Sequence, residues 1–222
     1  VSRRRGVSVA LIGAVLILSG CATGQPSEVE RIRARVAYER GLANLADRQP
    51  GLALSALQEA IAADPTVSRY HDSLGILYLG LGQIDQALER FRKAIELDPK
   101  FADAYFHQGT ALAEVRRWED AVRSYRTALA LPTLTVPDYA NQNLGLALFH
   151  LKRYREAEQA LRLAIGLDPE LQGAYYHLGL VLAAENRKEE AKAVFRQARK
   201  LGPDTTFGQA ARDRLKDLGE EG

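Results

Sequence analysis

The sequence predicts an all-α protein in which helical hairpins stack into a solenoid. Three recurring features carry this prediction: a glycine, a pair of alanines and a proline each return at nearly constant intervals along the chain. The composition, with 46% hydrophobic and 26% charged residues among 222, is that of a globular protein. We therefore expect helices throughout and no sheet.

Five repeat units can be aligned on these features. The glycines of the first helices are separated by 34, 34, 36 and 34 residues and are Gly41, Gly75, Gly109, Gly145 and Gly179. The alanines of the second helices are Ala53, Ala87, Ala121, Ala157 and Ala191, then Ala60, Ala94, Ala128, Ala164 and Ala198. The closing prolines are Pro65, Pro99, Pro132, Pro169 and Pro203.

These positions have a structural explanation. A small residue lets two helices approach closely with no side chain between them, and a proline ends a helix because it cannot donate a backbone hydrogen bond. We expect the space that remains to be filled by Leu74, Leu144, Leu178, Phe91, Tyr125, Leu161 and Phe195.

The second unit closely resembles the tetratricopeptide repeat pattern. Its matching residues are Leu74, Gly75, Tyr78, Ala87, Phe91, Ala94 and Pro99. The resemblance implies a right-handed superhelical solenoid of tetratricopeptide hairpins, since each hairpin has an apolar side that it cannot bury alone. Hairpins 1 to 5 are expected at about 34–67, 68–101, 102–135, 138–171 and 172–205, within a repeat region of 28–205.

Both ends of the repeat region carry helix signals. Ser27 and Glu30 have the spacing of a capping box, which predicts the start of the first helix. After Pro203, the apolar spacing from Phe207 to Leu218 predicts a C-terminal capping helix in the segment 206–219, with Gly219 as its stop.

The third interval is two residues longer than the others. The additional residues lie in the segment 131–138, which contains Pro132 and Pro137. Two prolines within six residues predict a stiff, extended connection between hairpins 3 and 4.

The first 20 residues are typical of a lipoprotein signal peptide. Arg3, Arg4 and Arg5 precede an apolar run of about 12 residues, which is too short for a comfortable membrane span. Leu18-Ser19-Gly20-Cys21 resembles the lipobox of bacterial lipoproteins, which implies diacylglycerol on the Cys21 thiol and cleavage before it. A buried core cysteine is the alternative, but Cys21 precedes a polar linker within 21–27, where no core is expected. Since Ala22 is not the aspartate that retains lipoproteins at the inner membrane, the resemblance favours the periplasmic face of the outer membrane.

The sequence contains no set of residues that predicts catalysis. The four histidines lie at different positions of different hairpins, and no metal, nucleophile or phosphate-binding motif is present. Without the three N-terminal arginines the 30 basic residues fall to 27, against 28 acidic ones, so the body has no general attraction for nucleic acid. We expect no enzyme activity, no cofactor, no metal, no nucleic acid and no small-molecule substrate.

Instead, the predicted inner surface of the solenoid is apolar. In tetratricopeptide solenoids the second, fifth, ninth and twelfth positions of each unit face inward. Here they predict a partner-binding groove lined by Tyr38, Leu42, Leu45, Ile76, Leu79, Phe106, Tyr139, Leu146, Phe149, Tyr176 and Leu180. An exposed surface of this kind usually marks an interaction site. The alternative is that tight curvature lets some of these side chains bury one another. Tyr38 and Leu42 replace the Lys and Asn of carboxylate-clamp domains, which argues against acidic C-termini as ligands.

The lipobox and the proline-bearing insertion before Asn143-Leu144-Gly145 together are similar to the type IV pilus biogenesis lipoproteins, the pilotins of the pilus secretin. Members of that family are credited with six units, whereas five and a cap are counted in this chain. The resemblance implies an outer-membrane lipoprotein that binds the secretin subunit and promotes its localisation and assembly. A scaffold of another envelope machine is the alternative: polysaccharide export, outer-membrane protein assembly or peptidoglycan-enzyme docking.

Overall fold

The computed structural model describes residues 25–220, and within this range it contains eleven α-helices and no strand. The helices are α1 (Glu28–Ala46), α2 (Pro50–Ala63), α3 (Ser68–Gly80), α4 (Ile84–Leu97), α5 (Ala102–Glu114), α6 (Trp118–Ala130), α7 (Pro137–His150), α8 (Tyr154–Leu167), α9 (Gln172–Ala184), α10 (Lys188–Leu201) and α11 (Thr206–Asp217). None of them is both long enough and apolar enough to cross a membrane. Cys21 and the signal segment lie outside the described residues.

Ten of these helices form five hairpins, from α1 with α2 to α9 with α10. Consecutive first helices also contact one another from α3 to α11, whereas the main contacts of each second helix are with the first helices on either side. The first helices therefore form the inner layer of the stack and the second helices the outer layer. The predicted fold class, a solenoid of helical hairpins, is confirmed.

The core of each hairpin is a contact between a glycine and a large side chain. A Cβ atom added to Gly75 would lie 2.6 Å from Cε1 of Phe91, and one added to Gly179 would lie 2.4 Å from Cε1 of Phe195. The sequence-based idea that no side chain separates the helices is wrong in this respect, because the glycine makes room for a large residue of the second helix. The recurring alanines of the second helices and these large residues are fully buried, as predicted.

The turn inside every hairpin contains a residue with positive φ. These residues occupy equivalent places in the five hairpins and are Arg48, Gly82, Arg116, Lys152 and Asn186, with φ of 56°, 73°, 58°, 59° and 62°. Glycine adopts this backbone conformation at no steric cost, but only hairpin 2 has one there. In the other four hairpins a non-glycine residue adopts this strained backbone conformation in the turn.

The connection between hairpins 3 and 4 spans residues 131–136, so it ends earlier than the predicted segment 131–138. Pro137 is not part of it, because it is the first residue of α7, where its missing N–H costs nothing. The segment before it is attached to hairpin 3: the backbone N–H and the hydroxyl of Thr135 donate to Oδ1 of Asp103 at 3.0 and 2.9 Å. The Thr133 hydroxyl donates to the Lys100 carbonyl at 3.0 Å.

Both ends of the described stack are closed by helix caps. The Ser27 side chain accepts from the Glu30 backbone N–H while the Glu30 side chain accepts from the Ser27 backbone N–H, so the predicted capping box is confirmed. At the other end α11 packs on α9 and α10 through buried Ala211 and Leu215. This helix starts at Thr206, and Thr205 is its N-cap. The Thr205 hydroxyl oxygen accepts a hydrogen bond from the Gly208 backbone N–H at 3.1 Å.

Candidate partner-binding groove

All eleven residues that the sequence assigned to a groove lie in first helices. None of them is fully buried. Three are exposed by two-fifths or more of their surface, Leu42, Ile76 and Tyr139, and the remaining eight are half-buried. The exposed three belong to hairpins 1, 2 and 4, so the freely accessible apolar surface is distributed along the stack.

Several of the aromatic residues are half-buried because they pack on their neighbours. The ring of Tyr38 lies 4.7 Å from that of Tyr70 in the next hairpin. The ring of Tyr176 lies 5.8 Å from that of Phe195 and 5.6 Å from that of Phe207 in α11. These aromatic rings hold neighbouring helices together, and only their remaining surface can contact a partner.

The fifth position of the repeat units is more polar than the sequence reading indicated. At the fifth position of the units, aromatic residues alternate with polar ones, since hairpins 2 and 4 have Asp72 and Gln142 between Tyr38, Phe106 and Tyr176. Both polar residues are buried. The prediction collected only apolar residues, although reading the fifth positions in order would have found this alternation.

Asp72 forms a polar contact between two hairpins. Its Oδ1 atom lies 2.8 Å from Nδ1 of His107 in hairpin 3, and the side chain of Asp72 is only 6% exposed. In the same way the Tyr38 hydroxyl lies 3.1 Å from the Ser73 hydroxyl, which joins hairpins 1 and 2. Hydrogen bonds of this kind fix the orientation of one hairpin against the next.

Two equivalent depressions lie at the turn side of the inner surface. One, of about 370 Å³, is lined by Leu45, Ile76 and Leu81 between hairpins 1 and 2. The other, of about 450 Å³, is lined by Leu146, Trp118 and His150 between hairpins 3 and 4. The indole of Trp118 stacks on the His150 imidazole with 4.1 Å between ring centroids. Each depression is large enough to accept side chains of a bound segment.

Two histidines, His71 and His177, are buried between the helices. Burial lowers the pKa of His177 to about 4, and burial also lowers the pKa of His71. Both imidazoles are therefore neutral near pH 7, and no cluster of three or more His, Cys, Asp or Glu side chains that could hold a metal is found between residues 25 and 220. The geometry provides shape and contact surface for a partner.

The comparison with known protein families agrees with this architecture. The tetratricopeptide repeat model matches three overlapping stretches, residues 73–131, 108–171 and 143–205. This chain belongs to the tetratricopeptide repeat family. Proteins of this family generally act as scaffolds for protein interactions.

Relatives within the family include a pilus protein. The chain is 37% identical over 134 residues to "Type IV pilus assembly protein PilF" of Pseudomonas aeruginosa, a stretch that covers 58% of this chain and 51% of PilF. The chain therefore spans about half the length of that relative, and the similarity connects it to the PilF type of tetratricopeptide protein.

Solved structures share the fold at low sequence identity. A solved chain of MamA from Desulfovibrio magneticus RS-1 superposes with a TM-score of 0.70 at 22% identity, covering 78% of this chain and 97% of that solved chain. PilW, described as a widely conserved type IV pilus biogenesis factor, gives 0.69 at 19% identity, covering 86% and 94%. These likenesses establish the solenoid alone.

Proposed function

We propose that this protein is an outer-membrane lipoprotein that binds the type IV pilus secretin subunit and promotes its localisation and assembly. The 37% identity with PilF is the observation that carries the proposal, because PilF is named as a type IV pilus assembly protein. The lipobox at Cys21 supplies the membrane attachment, and lipid modification with more than one acyl chain gives stable anchoring.

The groove would hold a segment of the partner that has apolar side chains at intervals. Leu42, Ile76 and Tyr139 present apolar surface along the stack, whereas Asp72 and Gln142 are buried between the helices. A segment with its apolar side chains on one side fits this pattern. An amphipathic helix or an extended strand-like segment has that arrangement.

A binding experiment tests the groove. Ile76→Ala and Tyr139→Ala should each weaken capture of the partner from an outer-membrane extract, since truncating an anchor residue costs about 2 kcal/mol, which is roughly 30-fold in Kd. Leu163→Ala is the matched control, because Leu163 is 60% exposed on α8 in the outer layer. Equal weakening by all three substitutions, or by none, would remove the groove from the proposal.

A second experiment tests the anchor. Mass measurement of the exported protein should find acyl chains on Cys21, and Cys21→Ser should abolish both these chains and the outer-membrane location of the protein. A Cys21→Ser protein that still fractionates with the outer membrane would contradict the lipid anchor while leaving partner binding intact.

Deletion of the gene tests the biological role. Loss of secretin multimers and of pili is expected, with restoration by the wild-type gene. Normal secretin multimers in the deletion strain would reject the pilotin role. A scaffold of another envelope machine is the alternative, since the repeat family indicates protein binding without specifying the partner. Neighbouring genes for polysaccharide synthesis rather than pilus assembly would then support that alternative.

A further inference from the structure

The first helix differs from all others in length and in its outer face. It has 19 residues, whereas α2 to α11 have 12 to 14. Its buried residues Ala34, Ala37 and Gly41 lie on one face. On the opposite face Val29, Ile32 and Val36 are 76%, 45% and 55% exposed. We call these three residues the outer stripe of α1. Their spacing of three and four places them in a row along the helix.

Arginines accompany the outer stripe on one side. Arg33 and Arg40 flank it and both pair with Glu59, whereas Arg35 lies with Tyr38 on the face that meets α3. The three glutamates of α1 together with Glu59 equal its four arginines in number, so the aliphatic side chains and not a net charge carry the contact. Exposed aliphatic side chains in a row can enter the interface of a lipid bilayer while the arginine stems lie along it.

The sequence places this stripe close to the proposed anchor. Glu28, the first residue of α1, follows Cys21 by seven positions. Seven residues span at most about 25 Å when fully extended, so a lipid on Cys21 keeps the first turn of α1 within that distance of the bilayer surface. A short tether also raises the effective concentration of the surface, so that a contact too weak to form from solution becomes populated.

We propose that the outer stripe of α1 lies on the lipid surface to which Cys21 is anchored, making α1 a second point of membrane contact. This inference rests on the proposed lipid anchor. The contact places hairpin 1 at the bilayer and restricts rotation of the solenoid about its tether. The groove is then presented to partners in a fixed orientation.

The experiment places a fluorescent probe in the stripe. Trp118 is the only tryptophan and Cys21 the only cysteine in the sequence. In a Trp118→Phe background, Ile32→Trp introduces a probe in the stripe. Leu163→Trp introduces a matched probe at an exposed position of α8. The chain from Cys21 onward is coupled through its thiol to a maleimide phospholipid in vesicles of phosphatidylethanolamine and phosphatidylglycerol, with or without brominated acyl tails.

Brominated tails should quench at least about half of the Ile32→Trp emission, since interfacial helices bury their apolar face about 5–10 Å deep. The Leu163→Trp emission should stay unchanged. Equal quenching of both probes, or of neither, would overturn the proposal. Self-association of the uncoupled protein that Ile32→Ser abolishes would also overturn it, because a second copy would then cover the stripe.

The chemical coupling separates this test from the anchor test described above. Because the phospholipid is attached to Cys21 in vitro, absence of quenching rejects the α1 contact even in a protein that cells do acylate. Absence of acyl chains on the exported protein rejects the anchor whatever the vesicles show. A helix damaged by Ile32→Trp would reveal itself as lost helical circular dichroism, in which case Val36→Trp carries the same probe one turn further along.

Discussion

Substitution of Gly75 by alanine tests whether the glycine-to-aromatic contact determines the packing of each hairpin. Gly75 lies in α3, and a Cβ atom there would be 2.6 Å from Cε1, 2.7 Å from Cδ1 and 3.0 Å from Cζ of Phe91. The Phe91 ring is fully buried among neighbours that include Leu74 and Ala87. It cannot move aside without displacing them, because protein interiors are closely packed.

Two opposing effects determine the size of the change. Replacing a helical glycine by alanine stabilises a helix by about 0.5–1 kcal/mol, because the unfolded glycine has more conformational freedom. Inserting a methyl group into a filled core costs about 1–3 kcal/mol. At Gly75 the second effect is larger, and we expect a net loss of about 1–2 kcal/mol in the free energy of unfolding.

Gly80 provides a control in the same helix. It is the last residue of α3, it is exposed, and a Cβ atom there would have no other atom within 4 Å. Gly80→Ala should therefore raise the free energy of unfolding by up to about 1 kcal/mol. The two variants should differ by about 2 kcal/mol, which separates their melting temperatures by roughly 4–8 °C in a chain of this size.

The measurement is thermal and urea unfolding followed by far-ultraviolet circular dichroism. A second substitution, Phe91→Leu, removes part of the ring that the new methyl group would meet. The double variant Gly75→Ala with Phe91→Leu should be more stable than the sum of the single changes predicts, by about 1 kcal/mol. Gly75→Ala and Gly80→Ala with equal unfolding midpoints, or strictly additive single changes, would show that Phe91 does not constrain Gly75.

Three further predictions follow from the turns, a buried histidine and the cap. Lys152→Gly should raise the free energy of unfolding by up to about 1 kcal/mol, because a side chain at positive φ costs about 1–2 kcal/mol. Gly82→Ala should lower the free energy of unfolding for the same reason. A loss of stability in Lys152→Gly or a gain in Gly82→Ala, measured by urea unfolding, would refute this explanation. Since burial lowers the pKa of His177 to about 4 from an ordinary value near 6.5, the unfolded chain binds a proton first, so stability is full above pH 6.5 and falls between pH 6.5 and 4. The loss is at most about 3 kcal/mol, and His177→Gln should reduce it in unfolding measured across this range; an unchanged pH profile would exclude this origin. Finally, Gln172→Ala should cost about 1–3 kcal/mol and speed amide exchange in α11, because the Gln172 side chain donates to the Ala198 and Gly202 carbonyls at 2.6 and 2.9 Å and joins α9 to the end of α10. Unchanged exchange in α11 would show that this side chain does not hold the cap.

The sequence predicted the architecture well because its signals are local. The glycines, alanines and prolines recur at intervals of 34 or 36 residues, and each has one physical role that does not depend on distant parts of the chain. Such local signals suffice for a solenoid, in which every unit contacts only its neighbours. The start of α7 was misread because Pro137 is equally compatible with an extended connection and with the first turn of a helix.

Contacts between hairpins determine which side chains of the groove are accessible. The sequence of a single repeat unit does not reveal these contacts. Tyr38 and Tyr176 occupy equivalent positions, yet the first packs on Tyr70 of the following hairpin and the second on Phe207 of the capping helix. Asp72, at the same position of hairpin 2, is buried because His107 of hairpin 3 provides a partner 2.8 Å away. The repeat therefore determines which positions face inward. The neighbouring unit determines whether an inward side chain packs within the stack or stays accessible to a partner. Leu42, Ile76 and Tyr139 remain two-fifths exposed or more in this arrangement, and for this reason substitutions at these three residues separate partner binding from stability more cleanly than substitutions at the buried aromatic rings.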